Sequence, residues 1–441
     1  MPTWLNGALL RNGPGMFKIG DTSYRHWFDG MAYIQRYHFV NGKMFYSARY
    51  LESDDYNENM RAQRIICTSF GTKTFPDPCK SIFFSLICPF LKRFHLQLDI
   101  RDYMNISLHS YSAHFHSDSD GNLYNIGSAF GRTSKYVLAV TKHPRFVKDG
   151  AHLRGMKTAE LLAEIPASKL WSPSYYHSFG ITENYFILFE SPLRLNLKKM
   201  IFSTFTGWSF QNCLRWDNNA IVNVLLYDRT HKVRVTRKVT SDPFFTFHHA
   251  NAYERNGFLV VDYVRIENPG NLDALLEHMR TGTFRSNPNF EPYLHRMIIP
   301  LDVRSDSKPG DNLLESCDFA GESIEFPRYC YDLNMRDYRY VYGSCLVHKP
   351  TEKYGVVDVK DGTYKVWNKD SELQICAEPI LVNKPGYTVE DEGVLIVPVV
   401  TIPNAHTPYV VILDAQTMDQ LCRFLIPQPR IPLGFHSHFV P

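Results

Sequence analysis

YYHSFG at positions 175–180 is one of four strand-like segments that each carry a histidine and that together decide the fold. The other three are SAHFH at 112–116, TFHHAN at 246–251 and PLGFHS at 432–437. None has the spacing of a zinc finger or of an HExxH motif. Histidines this far apart in a chain are readily brought to one point only by a closed, ring-like fold. Imidazole suits Fe, Cu, Zn and Ni, and an all-imidazole site without a ligating carboxylate suits a redox ion that keeps positions open for O2.

The rest of the chain has the pattern of an all-β protein. Dipeptides that favour the positive φ of tight turns stand beside β-rich runs at Asn41-Gly42, Asp120-Gly121, Asn256-Gly257 and Asp361-Gly362. The predicted strands include Leu123–Phe130, Tyr185–Glu190, Gly257–Val264, Tyr338–Cys345, Gly355–Val359, Tyr364–Trp367, Gly393–Val399 and Tyr409–Leu413. Many short strands indicate a β-propeller or a large sandwich. A propeller would place one histidine from each of four blades around a central axis.

Helical pattern is scarce in this sequence. The clearest case is Asn271–Arg280, where Leu272, Leu275, Leu276 and Met279 share one face. Thr158–Ile165 is a weaker candidate for a helix.

Composition narrows the class of protein. At 441 residues the chain is long enough for two domains or one large repeat fold. The net charge of +3 argues against nucleic-acid binding, which needs a concentrated basic face. The nine cysteines include no CxxC pair, which favours reduced thiols in a cytosolic protein. We expect no signal peptide, and the longest apolar run, Ser81–Leu91, is too short to span a membrane.

Several further motifs carry a resemblance to a known family. They are LRNGPG at 10–15, HWFDG at 26–30, PDPCK at 76–80 and IEFP at 324–327. With the four histidine segments, they resemble the carotenoid cleavage oxygenases, which include the metazoan β-carotene oxygenases and the retinoid isomerohydrolase. The resemblance implies a single domain over 1–441, folded as a seven-bladed β-propeller with a small helical cap. It also implies Fe(II) held by His114, His177, His248 and His436.

The resemblance also separates these histidines from their neighbours and implies two orienting carboxylates. His116, His249 and His438 lie one or two residues from the implied ligands and do not match the ligand positions of the family motifs. Glu325 in Ile-Glu-Phe-Pro and Glu378 in Ala-Glu-Pro match glutamates that orient metal-bound imidazoles by accepting the other ring N–H. Phe179 and Phe247 flank ligands and are candidates for an apolar wall.

The chain departs from the family pattern in two regions. The family's third glutamate normally precedes the first ligand in a Thr-Glu-Thr-Asn strand, which this sequence lacks; Asp99 and Asp102 do not match it. By the family's pairing, His177 loses its carboxylate. A second shortening falls between Asp311 and Glu325, so two blades are expected to be shortened. In addition, Ser437 follows the last ligand where the family usually has glycine.

The function implied by the resemblance is an Fe(II)-dependent dioxygenase that uses O2 to cleave a carotenoid C=C bond to retinal or apocarotenals. Two alternatives stay open: a retinoid isomerohydrolase, and a carotenoid-binding member with reduced or no turnover. The apolar segment Ile82–Leu91, followed by Lys92-Arg93, has the composition of a monotopic membrane contact. The sequence therefore predicts a cytoplasmic protein that associates peripherally with the membrane.

Overall fold

A computed structural model describes residues 1–73, 110–130, 133–143, 159–206, 208–269, 292–301, 315–344, 353–371, 374–401 and 407–441. Within these ranges the chain is mostly β-strand, with two α-helices, α1 (Asp54–Ala62) and α2 (Leu197–Thr206). The prediction of an all-β protein is therefore confirmed. Three short 3-10 helices cover Trp27–Asp29, Gln211–Cys213 and Tyr331–Leu333.

Six antiparallel sheets of four or five strands make up most of the described structure. Sheet 1 consists of β1 (Gly7–Met16), β4 (Met31–Val40), β5 (Lys43–Tyr50) and β31 (His436–Val440). Sheet 2 consists of β6 (Ser110–Tyr111), β7 (His116–Ser117), β8 (Leu123–Ala129), β9 (Lys135–Thr141) and β10 (Ala159–Pro166). Sheet 3 consists of β11 (Gly180–Ile181), β12 (Tyr185–Glu190), β15 (Val222–Asp228), β16 (Val233–Arg234) and β17 (Val239–Ser241).

The second half of the chain builds the other three sheets. Sheet 4 consists of β18 (His249–Arg255), β19 (Phe258–Arg265), β20 (Tyr293–Pro300) and β21 (Glu315–Ser323). Sheet 5 consists of β22 (Glu325–Arg328), β23 (Tyr340–Ser344), β24 (Lys353–Asp358) and β25 (Thr363–Asn368). Sheet 6 consists of β26 (Gln374–Cys376), β27 (Ile380–Asn383), β28 (Gly393–Thr401), β29 (Tyr409–Asp414) and β30 (Gln420–Leu425). Two-stranded ribbons join β2 (Lys18–Ile19) to β3 (Thr22–Ser23) and β13 (Leu193–Leu195) to β14 (Leu214–Trp216).

Consecutive sheets pack against each other in chain order. Separate clusters of buried apolar side chains join sheet 2 to sheet 3, sheet 3 to sheet 4, sheet 4 to sheet 5, sheet 5 to sheet 6 and sheet 6 to sheet 1. The last junction also brings the two ends of the chain together, because β31 pairs with β1 from Asn12↔His436 to Ala8↔Val440. Each cluster removes apolar surface from water, which stabilises a sheet by covering both of its faces.

Two predicted hairpin turns have the expected backbone. Asn41 and Gly42 have φ of 48° and 78°, and Asn256 and Gly257 have 51° and 81°. Positive φ at both central residues matches the twist of the flanking strands.

One predicted helix is wrong. The segment Thr158–Ile165 supplies β10, which pairs with β9 along its length and has a register shift between Leu161 and Ala163. A short apolar run cannot be assigned to helix or strand from periodicity alone, and pairing with a neighbouring strand decided the outcome. The helix predicted at Asn271–Arg280 lies outside the described residues.

The described cysteines and helices bear on two further expectations. Cys67, Cys213, Cys330, Cys376 and Cys422 are all free thiols, as predicted for reduced cysteines. Among the described residues, neither α-helix is long and apolar enough to cross a bilayer.

Candidate metal centre

The site lies where edge strands of five of the six sheets begin or end. His248 immediately precedes β18, His436 is the first residue of β31, and His177 lies three residues before β11. Glu325 opens β22, and Glu378 follows β26. Because β11, β18, β22, β26 and β31 are each the edge strand of a different sheet, the packing of these sheets brings residues from distant parts of the chain together.

His248 is oriented by a buried carboxylate of the next sheet. Its Nδ1 lies 2.6 Å from Oε2 of Glu325, and that oxygen also accepts a hydrogen bond from the backbone N–H of Phe326 at 2.7 Å. An ionised carboxylate only accepts, so Nδ1 carries the proton and Nε2 keeps a lone pair. Nε2 of His248 is buried and has no hydrogen-bond partner among the described residues.

The backbone around Glu325 is strained. Phe326 has a φ of 53°, in the left-handed region that bulky side chains rarely adopt. Its ring lies 5.4 Å from that of His248 and 5.7 Å from that of His436. Residues in sparsely populated backbone conformations concentrate at functional sites, and here the strained residue places an aromatic ring against two of the candidate ligands.

His436 has the same arrangement with Glu378. The Glu378 carboxylate accepts from His436 Nδ1 at 2.9 Å and from the backbone N–H of Ser437 at 2.6 Å. Arg328 binds both carboxylate oxygens, at 2.9 and 3.2 Å, and donates to the Ser437 carbonyl at 2.6 Å. Burial of Glu378 would raise its pKa, but Arg328 and His436 outweigh burial and lower the pKa to about 2. Glu378 is therefore an anion throughout the physiological range.

The LRNGPG motif explains how the last histidine segment is held in place. Buried Arg11 donates from Nε to the Leu433 carbonyl at 2.8 Å and from Nη1 to the Ser437 hydroxyl at 2.8 Å. A Cβ at Gly13 would lie 2.1 Å from Cα of Gly434, so the two glycines allow the strands to approach each other. The serine that departs from the family pattern is thus bound through its side chain and its backbone.

His114 and His177 are tied together by one serine. The Ser112 hydroxyl accepts from the backbone N–H of His114 at 3.0 Å and donates to the carbonyl of His177 at 2.6 Å. Nδ1 of His177 lies 3.1 Å from the hydroxyl of Tyr175. Nε2 of His114, like that of His248, is buried without a partner among the residues that the structure describes.

The four predicted histidines form one cluster. The ring of His114 lies 4.6 Å from that of His177, 4.8 Å from that of His248 and 4.7 Å from that of His436. Ring nitrogens of His114, His248 and His436 all lie within 4.8 Å of one another, and His177 stands beside this group of three. Two nitrogens that each bind one divalent metal at about 2.1 Å lie no more than about 4.2 Å apart. The three rings therefore need to move only slightly toward one another to bind a metal.

The environment of the cluster favours the binding of a cation. Burial lowers the pKa of His114 well below its usual value, and the other three histidines lower it further. Burial, His248 and His436 do the same to the pKa of His177. Histidines held neutral keep a lone pair for a metal. The two glutamates add negative charge just behind the rings, which favours a cation between them.

The neighbouring histidines face elsewhere. His116 directs Nε2 to the Phe179 carbonyl at 3.0 Å, and His249 directs Nδ1 to the Ser178 hydroxyl at 2.7 Å. His438 is exposed to solvent.

An aromatic shell surrounds His177. Phe28, from the HWFDG motif, stacks on the His177 ring at 6.1 Å, and Phe247 meets it edge-on at 5.2 Å. Phe28 is placed by a 3-10 turn capped by His26, whose Nδ1 accepts from the Phe28 backbone N–H at 3.1 Å. Phe179, the other predicted wall residue, packs against His116 instead, at 4.9 Å.

Comparison with known proteins agrees with this geometry. Residues 1–441 match the family described as Retinal pigment epithelial membrane protein. The chain is 34% identical to the β,β-carotene 15,15'-dioxygenase of Gallus gallus, over all of this chain and 94% of the relative. It is 30% identical to the mitochondrial carotenoid-cleaving dioxygenase of Homo sapiens, over all of this chain and 87% of that relative. The chain belongs to this family.

Solved structures of low sequence identity show the same fold. A cobalt-substituted Synechocystis ACO superposes with a TM-score of 0.76 at 21% identity, covering all of this chain and 93% of that one. An ACO/RPE65 chimera superposes with a TM-score of 0.75 at 20% identity and the same coverage.

The relatives carry more chain than this protein. The match to the Gallus gallus enzyme runs over 502 positions, whereas this chain has 441 residues, so the relative carries segments that this chain lacks. The stretch that holds Asp99 and Asp102, and the apolar segment Ile82–Leu91, lie outside the described residues.

Sequence reasoning missed several residues that hold the site together. Arg328 lies 50 residues from Glu378 and Arg11 lies 422 residues from Leu433, so no local pattern reveals either contact. Tyr175 could have been noticed, because it precedes His177 by two residues in an otherwise apolar and aromatic segment.

Proposed function

We propose that this protein is an Fe(II)-dependent dioxygenase that cleaves a carotenoid C=C bond with O2 to give retinal or apocarotenals. The observation that carries the proposal is the cluster of four imidazoles, two of them held by buried glutamates. The relatives named as carotenoid dioxygenases support the substrate class.

In this proposal, His114, His177, His248 and His436 hold the metal, and Glu325 and Glu378 orient two of the rings. Fe(II), when bound, supplies the chemistry that lets O2 react with a C=C bond. The donor set fits it, because imidazole is a good ligand for iron and buried Nε2 atoms point into the cluster without other partners among the described residues.

The protein's own residues position the substrate and exclude water. Phe28, Phe247 and Phe326 present aromatic rings to the histidines, which suits an apolar polyene. Both oxygen atoms of O2 end in the two new carbonyl groups, so the overall reaction needs no proton.

The test is product analysis with labelled oxygen. Protein purified anaerobically and loaded with Fe(II) is incubated with β-carotene in detergent under 18O2. We expect retinal or apocarotenals that carry the label, and none from His248→Ala. Iron binding without any cleavage product would refute the dioxygenase, and production of 11-cis-retinol from a retinyl ester would replace it with an isomerohydrolase.

We also propose that the protein contacts the membrane through helix α2, in addition to the predicted segment Ile82–Leu91, which lies outside the described residues. Ile201 and Phe202 of this helix are 57% and 59% exposed, beside Trp171 and Trp208. Lys198 lies over the Trp171 ring and Lys199 over the Trp208 ring, at 5.9 and 4.6 Å. Exposed apolar side chains with lysines at their edge suit an anionic bilayer surface.

This surface is connected to the site through aromatic contacts. Phe210, which follows α2, packs on Phe70 at 5.4 Å and on Tyr175 at 6.4 Å. Phe210 therefore links the proposed membrane surface to the aromatic side chains around His177. This arrangement suits a substrate that enters from the membrane.

Vesicle flotation tests the membrane contact. The double variant Ile201→Asp/Phe202→Asp is expected to lose binding to vesicles that contain phosphatidylserine. The control Leu425→Asp changes a residue that is 65% exposed on β30 and should bind like the wild type. Equal binding by all three proteins would refute a role for α2.

We infer that the six sheets belong to one seven-bladed propeller domain over residues 1–441. The five consecutive junctions and the closure of β31 on β1 support this inference. An experimental structure that showed six blades or two separate domains would contradict it.

A further inference from the structure

The hydrogen bond behind His177 differs in kind from those behind His248 and His436. The latter two donate from Nδ1 to the buried carboxylates of Glu325 and Glu378. The partner of His177 Nδ1 is the phenol oxygen of Tyr175, at 3.1 Å. Among the described residues, three of the four rings in the cluster therefore have a partner at Nδ1: two have a carboxylate and one has a phenol.

The Tyr175 ring is fixed in place on several sides. It stacks on Phe245 at 6.1 Å and contacts Phe70 and Phe210 at 6.3 and 6.4 Å. Its backbone N–H donates to the Leu193 carbonyl at 2.8 Å, which ties the segment to β13. A side chain packed in this way holds its hydroxyl at one point, and that point lies within hydrogen-bond distance of the imidazole.

A phenol and a carboxylate prepare an imidazole differently. A carboxylate only accepts, so it fixes the proton on Nδ1 and leaves Nε2 free for a metal. A phenol both donates and accepts, and an ordinary phenol is uncharged at neutral pH. Tyr175 therefore orients His177 without fixing its tautomer and without adding negative charge.

We propose that Tyr175 is a positioning residue that takes the place of an orienting carboxylate for His177. When a metal occupies Nε2, the Nδ1–H donates to the phenol oxygen; without metal, the phenol proton is free to point to Nδ1. This inference rests on the proposed metal centre. Of the three histidines that have a partner at Nδ1, His177 has the weakest one, because its acceptor is neutral.

Cobalt binding by two tyrosine variants tests this role. Tyr175→Phe keeps the ring and its packing and removes only the oxygen. Tyr176→Phe is the matched control, because Tyr176 is the next residue and accepts from the Ser128 hydroxyl at 3.2 Å in the core between sheets 2 and 3. Thermal unfolding of the metal-free proteins shows that both variants are folded.

Co(II) affinity is measured by competition with a chelator, and the d–d absorption band reports the ligand field. We expect Tyr175→Phe to bind Co(II) about 10-fold more weakly, at the low end of the effect of losing an orienting partner, with a shifted band. Tyr176→Phe should stay within about twofold of the wild type, the scatter of neutral changes. In a His177→Gln background, adding Tyr175→Phe should change neither quantity, because the partner through which it acts is gone.

The outcomes separate this inference from the proposed function. A wild-type protein that binds no Co(II) would overturn the metal centre and this inference with it. Wild-type binding together with an unchanged affinity and band for Tyr175→Phe would overturn only the role of Tyr175. An effect of Tyr175→Phe that persists in the His177→Gln background would also overturn it, since the residue would then act through packing.

Discussion

Replacing Glu378 by glutamine is expected to weaken metal binding more than it weakens the fold. The change keeps the size of the side chain and removes the charge that joins His436, Ser437 and Arg328. Glutamine also has an amide N–H2, which cannot accept from His436 or Arg328. The ring of His436 is then left without its anionic acceptor, and losing such a partner costs about 10–100-fold in metal affinity.

The cost to stability follows from how exposed Arg328 is. Removing one partner of a buried ion pair costs about 3–5 kcal/mol. Glu378 is 2% exposed but the Arg328 side chain is 30% exposed, so water solvates the released guanidinium and the loss should fall to about 2–3 kcal/mol. Urea unfolding of the metal-free protein measures this free energy, and Co(II) competition measures the affinity.

Glu190→Gln is the matched control. Glu190 is another buried glutamate, 3.6 Å from buried Arg194 and hydrogen-bonded to Tyr136 at 2.9 Å, and none of the hydrogen bonds described for it involves one of the four histidines. Both partners are buried, so this variant should lose the full 3–5 kcal/mol or so and still bind Co(II) like the wild type. If Glu190→Gln lost metal affinity as much as Glu378→Gln did, the effect would be one of general destabilisation and our reasoning would be refuted.

Three further predictions concern stability. Burial lowers the pKa of His249 to about 3, so this histidine stays neutral in the folded protein, whereas in the unfolded chain it takes up a proton below about pH 6.5. The free energy of unfolding of the metal-free protein should therefore fall by about 1.4 kcal/mol per pH unit for each such group below that pH. His249→Gln should flatten the slope of urea midpoints against pH. Gly13→Ala should lower the thermal midpoint and release the His436 segment, because its Cβ would meet Gly434; an unchanged midpoint would contradict this. Asp262→Ala should lower the free energy of unfolding by about 3–5 kcal/mol, since buried Asp262 accepts two hydrogen bonds of 2.7 Å from Arg296. If the folded variant bound less Co(II) than the wild type, the ion pair would also affect the metal centre.

The strands and the proximity of the four histidines could be predicted from the sequence for a physical reason. Strand-forming runs such as Tyr185–Glu190 are bounded by turn residues, and that pattern is local. The histidine segments lie far apart, and their convergence could be predicted because only a ring of sheets would join them. Glu325 and Glu378 were found by motif, and the structure places each against a histidine.

The errors and omissions arose where non-local contacts decide the structure. β10 is a strand because β9 lies beside it, which the apolar run Leu161–Ala163 does not reveal. Arg328 is part of the site through Glu378, in another sheet, and an arginine in a strand carries no signal of that pairing. Tyr175 contacts His177 because neighbouring aromatic rings direct its side chain, which depends on residues from several elements.

In the proposed centre, four histidines share one metal. X-ray absorption at the iron edge of the anaerobically loaded wild-type protein tests it most directly, because it reports the atoms bound to the metal. We predict one iron per chain with four imidazole ligands, and three in His177→Ala. A first shell that contains sulfur or protein carboxylate in place of imidazole, or four imidazoles in the His177→Ala protein, would contradict the account.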